Sequence, residues 1–117
     1  MKTQKLILAR QRKIMQENWL LPDSEKADLE PVVKFFHPYG AGTWLFSELD
    51  EEGETLFGLC DLGMQCPELG YANLPEMQDM KNRYGWQMIE RDQHWSADKS
   101  LKAYADDARI NQEIRTC

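Results

Sequence analysis

The feature that most constrains this chain is a series of short, bulky segments between Pro31 and Ala72, each closed by turn-forming residues. Val32-Val33-Lys34-Phe35-Phe36 is β-branched and aromatic, and His37-Pro38-Tyr39-Gly40-Ala41-Gly42 punctuates it. Thr43 to Leu49 and Thr55 to Cys60 read as two further strands. Asp50-Glu51-Glu52-Gly53 between them is a hairpin loop, with Gly53 free to take the positive φ of the turn. A fourth strand is expected from Glu68 to Ala72. Strands joined by such short connections pair antiparallel, so the middle of the chain reads as a meander.

Helices flank it. Ile7, Leu8, Ile14, Met15 and Trp19 fall on one arc at helical spacing, with Lys2, Lys5, Arg10 and Lys13 opposite, which predicts a helix from about Thr3 to Asn18. Leu21-Pro22-Asp23-Ser24 ends it. After the meander Asn73 is an N-cap, Pro75 suits a first turn, and Glu76 completes a capping box. Leu74, Met77 and Tyr84 share a face of that helix, with Met80 at its edge and Gly85 as its stop. Trp86 to Arg91 reads as a last strand, and Lys99 to Arg115 as a final helix with a stripe of Leu101, Tyr104, Ala105 and Ala108.

The expected architecture is therefore α+β. It has an antiparallel meander sheet of about five strands with an N-terminal helix, one helix before the last strand and a C-terminal helix, all packed on one face. The 117 residues fit a single domain, 1–117, comprising an N-terminal helix and loop (1–30), a sheet-and-helix core (31–95) and a C-terminal helical tail (96–117). The terminal residues 1–5 and 113–117 carry few apolar groups and are expected to be dispensable for folding.

Composition narrows the setting. At 42% hydrophobic and 29% charged residues the chain can bury a core and is not of the disordered class. No apolar run approaches the roughly 20 residues of a membrane span. Leu6-Ile7-Leu8-Ala9 is cut off by Arg10, too early for a secretory signal. Cys60, Cys66 and Cys117 are an odd set, one of them at the last residue, and fit reduced thiols better than a disulfide framework. A cytoplasmic location is expected, with the protein a monomer or small homo-oligomer. The net charge of −6 is concentrated in residues 47–92, where eleven acids face three bases, whereas residues 1–34 carry seven bases against five acids. Such an acidic middle repels phosphates, leaving the basic first helix as the expected route to nucleic acid.

Val33-Lys34-Phe35-Phe36-His37-Pro38, Thr43-Trp44, Glu48-Leu49-Asp50, Leu56-Phe57-Gly58-Leu59, Glu68-Leu69-Gly70-Tyr71 and Ile89-Glu90-Arg91-Asp92 follow one another in order with short gaps. In these words the chain resembles the family catalogued as domain of unknown function 2958. The resemblance covers about half the chain. It implies a genetic setting, an accessory gene of a plasmid, phage or conjugative element, and no mechanism. The basic first helix and the tail beyond Trp95 lie outside it.

Few residues suggest chemistry. Cys60 and Cys66 are too far apart for paired zinc ligands, nothing pairs His37 with His94, and no metal or cofactor is expected. Cys60 reads as a small hydrophobe in the sheet. Gly40-Ala41-Gly42 lacks the Lys-Ser/Thr of a phosphate loop. Glu48, Glu68, Glu90 and Asp92 lie in or beside strands, where an unpaired charge must find a partner or face water. They are either an acidic pocket for acid–base work or a divalent ion, or else they include a structural ion pair of Glu68 or Glu90 with Arg91 or Lys34, and the second reading is preferred. Glu48, Asp50, Glu51, Glu52 and Glu54 form an acidic run fit to imitate phosphates toward a nucleic-acid-binding protein. The expected function is thus a non-enzymatic, protein-binding accessory module with an acidic, DNA-mimic-like face. The alternatives are a small enzyme using Glu48, Glu68 and Glu90, and a nucleic-acid-binding module acting through the first helix.

Overall fold

The structure, a computed structural model, describes residues 3–116. One antiparallel sheet holds β1 (Val33–Phe36), β2 (Thr43–Leu49), β3 (Thr55–Asp61), β4 (Glu68–Asn73) and β5 (Glu90–Arg91), in the order β4-β3-β2-β1-β5. The first four strands are the predicted meander, and β5 returns to pair with β1 at the far edge. Three helices accompany them: α1 (Ala9–Trp19), α2 (Leu74–Asp79) and α3 (Leu101–Asn111). The α+β architecture read from the sequence is the one observed.

The helices cover both faces of the sheet, not one. Successive side chains in a strand point to opposite faces, so Trp44 and Phe46 lie on one side of β2 and Leu45 on the other. On the first face Leu6, Ile7, Met15, Leu74 and Met77 pack over Val33, Phe35, Trp44, Phe46 and Leu56. On the second, Leu101, Tyr104, Ala105 and Ala108 of α3 pack on Leu45 and Leu59. Bulky residues on both sides of β2 and β3 need cover on both sides.

A bulge in β2 sets which residue faces where. Phe46 pairs with Gly58, but the next pairs are Glu48 with Phe57 and Leu49 with Leu56, so Ser47 is the extra residue. The insertion returns Leu49 to the first face and sends Glu48 to the second. Gly58 permits it, because a Cβ there would overlap the backbone of Leu45 and Phe46.

The amino terminus differs from the expected helix. Helix α1 starts only at Ala9, and the residues before it run along α2 and β5, held by glutamine side chains. The Gln4 amide donates to Gln87 Oε1 (2.8 Å), and its carbonyl accepts from Gln87 Nε2 (2.9 Å) and Gln78 Nε2 (2.7 Å). Leu6 donates to Gln78 Oε1 (2.8 Å), and the Gln4 side chain exchanges bonds with the Arg91 backbone. Leu6 and Ile7 are buried as part of this clasp, whereas Ile14, placed on the apolar arc by spacing, is exposed.

The carboxyl terminus is tied as well. Asp61 Oδ2 accepts from the Ile114 amide (3.0 Å), Lys34 Nζ donates to Thr116 Oγ1 (2.8 Å), and Arg115 pairs with Asp107 (2.7 Å). Dispensable ends do not fit these contacts, while Met1, Lys2 and Cys117 lie outside the described residues.

Helix α2 begins as expected, with Asn73 Oδ1 accepting from the Glu76 amide (2.9 Å), but it stops at Asp79. Asn82 competes with helix by accepting from the Tyr84 and Trp86 amides (2.9 and 3.0 Å). The chain folds instead into a tight loop closed by Asn82 N–H to Trp86 O (2.8 Å), in which Gly85 takes φ +81°. Of the predicted last strand, Trp86 falls in this loop, Gln87 bridges to Lys81, and only Glu90 and Arg91 join the sheet as β5.

Candidate functional site

On the second face helix α3 packs on Leu45 and Leu59, with Phe57 at the margin of that cluster. Nearer the β2–β3 hairpin, the register aligns Glu48, Phe57 and Tyr71 side by side on β2, β3 and β4. Glu48 is buried beneath Lys26 and Phe57 packs at the edge of the α3 cluster, whereas Tyr71 on the edge strand β4 is open. A cleft of about 430 Å³ opens above the row, walled by Trp19 at the end of α1, by Asp23 and Lys26 of the connection that follows, and by Leu101 at the start of α3. Phe57 and Tyr71 stand 5.1 Å apart between ring centroids, and Trp19 meets Tyr71 edge-on at 6.4 Å. Tyr71 is 69% exposed although it lies in a strand of the sheet.

At the floor lies a charged pair. Glu48 is only 6% exposed, and Lys26 Nζ reaches its Oε1 at 2.8 Å. The same ammonium donates to the Trp19 carbonyl (3.0 Å) and stands 5.8 Å from the Trp19 ring. A carboxylate driven inward by the bulge is tolerated because this cation meets it. Ser47 beside it is buried, and its hydroxyl has no hydrogen-bond partner among the described residues. Aromatic walls over a fixed pair of charges suit the holding of a flat or cationic group. No His or Cys lines the cleft to act as base or nucleophile.

Of the carboxylates proposed as a pocket, Glu90 and Asp92 line one open depression at the β5 edge, and Glu68 does not join them. Glu68 pairs with Cys60 on the β4 edge, and Glu90 pairs with Phe36 on the β5 edge. Four strand spacings of about 4.8 Å separate those edges, roughly 19 Å, and the two side chains lie on opposite faces. Asp92 faces Lys34 at 3.7 Å, whereas neither Glu68 nor Glu90 forms a salt bridge among the described residues.

Glu48 does not belong to the exposed acidic run, since it is buried under Lys26. Asp50 closes the hairpin by accepting from the Glu54 and Thr55 amides (2.8 and 3.1 Å). Its slight burial raises the carboxyl pKa, but the hydrogen bonds from Glu54, Thr55 and Gly53 prevail and hold it below its ordinary 3.8. Glu51, Glu52 and Glu54 are exposed. They lie beside the basic first helix: the Arg12 guanidinium sits over Gly53, and Gln16 donates to the Asp50 and Glu51 carbonyls. The acidic loop and the basic helix thus adjoin and offset each other's fields.

The soft ligands are scattered. Cys60 packs at the margin of the first core, where burial pushes its thiol up to about 11, and Cys66 is exposed. His37 Nδ1 accepts from the Tyr39 amide, and His94 lies beyond β5. Among the described residues no three His, Cys, Asp or Glu side chains gather as metal ligands, and no helix is long and apolar enough to cross a membrane.

Trp19 and Lys26 escaped the sequence reading as site residues. The available signal was Glu48 itself, a charge inside an apolar strand that had to find a cation.

The fold and cleft define a small α+β protein in which one antiparallel sheet is sealed on one face and half open on the other. The chain belongs to the family described as protein of unknown function DUF2958, whose sequence profile matches residues 6–115, so the first helix and the tail beyond Trp95, expected to lie outside the resemblance, fall within it. No curated protein and no solved structure matches it.

Proposed function

We propose that this protein is a non-enzymatic binding module, an accessory protein of a mobile genetic element, that captures a basic side chain of a partner protein in the aromatic cleft. The observation that carries this reading is the exposed Tyr71 ring standing between Phe57 and Trp19 over the buried Glu48–Lys26 pair. Bulky aromatics left open on a sheet face mark an interaction surface more often than a packing error. The sign of the partner follows from the charges. Lys26 already matches Glu48 at the floor, so the pull on an incoming cation comes from the aromatic faces and from Asp23 on the rim, with Glu51, Glu52 and Glu54 on the adjoining hairpin adding what the basic first helix leaves unoffset.

The test begins with a pull-down from the native host and identification of the retained protein. Affinity is then compared between wild type and Tyr71→Ala. Tyr71 is exposed, so its removal should leave the fold intact and weaken binding on the order of tenfold or more. Wild-type affinity in Tyr71→Ala and in Trp19→Ala would remove the cleft from the reading.

A further inference from the structure

At the other end of β2, away from the cleft, three aromatic rings stand in solvent and touch one another. Tyr39 of the β1–β2 loop lies 6.1 Å from Trp86, and Trp86 lies 6.1 Å from Tyr84, between ring centroids. Their exposures are 67% for Tyr39, 66% for Tyr84 and 40% for Trp86. Hydrophobic collapse would hide such rings if the backbone were free to move. It is not free. The loop carrying Tyr84 and Trp86 is pinned by the Asn82 side chain and by the bonds between Asn82 and Trp86 and between Gly85 and Asn82. The loop carrying Tyr39 is closed by bonds between His37 and Gly42 and between Gly40 and His37.

The loop that carries two of the rings is locally basic, although Asp79 and Glu90 flank it. Residues 80–89 carry Lys81 and Arg83 and no acid, in a chain of net charge −6. Arg83 lies 5.1 Å from the Tyr84 ring and donates to its hydroxyl, and neither Lys81 nor Arg83 forms a salt bridge among the described residues. Two unpaired cations beside three exposed rings complement a ligand that alternates flat apolar groups with anions.

We propose that Tyr39, Tyr84 and Trp86, flanked by Lys81 and Arg83, form a binding platform for single-stranded nucleic acid. Bases stack on the rings, which takes no particular sequence because every base has a π-face. Phosphates meet Lys81 and Arg83. Duplex is excluded, since its bases are already stacked on one another. This platform is separate from the cleft and from the basic helix α1, whose Arg12 is engaged over the acidic hairpin.

The test is fluorescence anisotropy of a short fluorescein-labelled oligothymidylate with the full chain at low salt, with the matching duplex as comparison. Wild type should bind the single strand and prefer it to duplex. Tyr39→Ala and Trp86→Ala should each weaken binding on the order of tenfold. Log affinity against log salt should have a slope of about −1.4, from two contacts of about 0.7 each, halved by Lys81→Ala. Tyr39 is the most exposed of the three rings and lies outside the 80–87 loop, so Tyr39→Ala keeps the test valid if Trp86→Ala loosens that loop. Absence of binding by wild type, wild-type affinity in Tyr39→Ala, or equal binding of duplex would each overturn the proposal. Loss of binding on neutralising Arg10, Arg12 and Lys13, with the platform variants unaffected, would overturn it in favour of α1.

Discussion

The two faces of the sheet are built from the same strands but finished differently. On the first face the glutamine-clasped N-terminal segment, α1 and α2 close over Phe35, Phe46 and Leu56, which have no exposure at all. On the second, α3 offers small residues, Ala105 and Ala108, and covers only part of the surface. Alternation along β2 and β3 supplies apolar groups to both faces, but the length and placement of the covering helix decide where a core ends and a cleft begins. One bulge residue, Ser47, sharpens the contrast by giving Leu49 to the sealed face and Glu48 to the open one.

That contrast predicts unequal costs. Phe46→Ala, which empties the centre of the sealed face beside Phe35 at 5.5 Å, should destabilise the fold by about 3–5 kcal/mol in denaturant titration. Tyr71→Ala on the open face should stay within about 0.5 kcal/mol of wild type. Equal losses would erase the distinction between the faces.

Removing residues 1–5 should cost less than Phe46→Ala but be plainly measurable, about 1–3 kcal/mol, because Gln78 and the buried Gln87 lose partners. Gln87→Ala should reproduce most of that loss. An unchanged melting transition in both variants would show that the clasp is ornamental.

Lys26→Ala strands Glu48 under the cleft and should cost about 1–3 kcal/mol, since the pair is only partly shielded from water. The double variant Lys26→Met, Glu48→Leu should recover most of it. A double variant no more stable than the single would mean that Lys26 acts through Trp19 and not through the charge.

The thiols report the same contrast more gently. Cys60 is held protonated by burial, with its pKa raised from 9.0 to about 11, so the folded state keeps a proton that the unfolded chain gives up. Its contribution to stability is therefore complete below pH 9.0 and lost as pH rises toward about 11. The stability of wild type relative to Cys60→Ala should fall across that window. In a Cys117→Ser background Cys66 should react with a thiol reagent at neutral pH well before Cys60 does.

Legibility from sequence followed the range of the interactions involved. The meander was readable because β-branched runs and their turns are local signals, and Thr43–Leu49 is the strand as predicted. The α3 stripe of Leu101, Tyr104, Ala105 and Ala108 was readable for the same reason. Residues Thr3 to Leu8 are not helical as the spacing predicts, because Gln4 and Leu6 are held by Gln78 and Gln87, more than seventy positions away, while Leu6 and Ile7 pack into the core without helical periodicity. Residues 80–85 are loop where the spacing predicts helix, because a side-chain acceptor on Asn82 outweighs a favourable apolar spacing. The cleft required knowing which face α3 covers and that Ser47 bulges, neither of which leaves a periodic trace. Glu68 and Glu90 resembled a site in one dimension and proved to be at opposite edges in three.

The acidic hairpin gives the smallest expected effect on the fold and a decisive one on the partner. Glu51, Glu52 and Glu54 are exposed, and the hairpin is closed through Asp50, so converting the three to Gln should leave stability within about 0.5 kcal/mol of wild type. If the hairpin helps steer a basic partner toward the cleft, the same variant should slow association while leaving dissociation nearly unchanged, because rim charges act at a distance and the cleft makes the lasting contacts. The deficit should shrink as salt rises, since charges are screened over roughly 8 Å at physiological ionic strength. Tyr71→Ala should do the reverse, raising the dissociation rate with little change in association. Arg12 and Lys13 complicate the field, and that supplies a control. Neutralising Arg12 and Lys13 removes the compensation beside Glu51 and should speed association of the same basic partner. Stopped-flow association at several salt concentrations distinguishes these cases. A triple variant that associates at the wild-type rate in low salt would leave the hairpin a turn and nothing more, with recognition confined to the aromatic cleft.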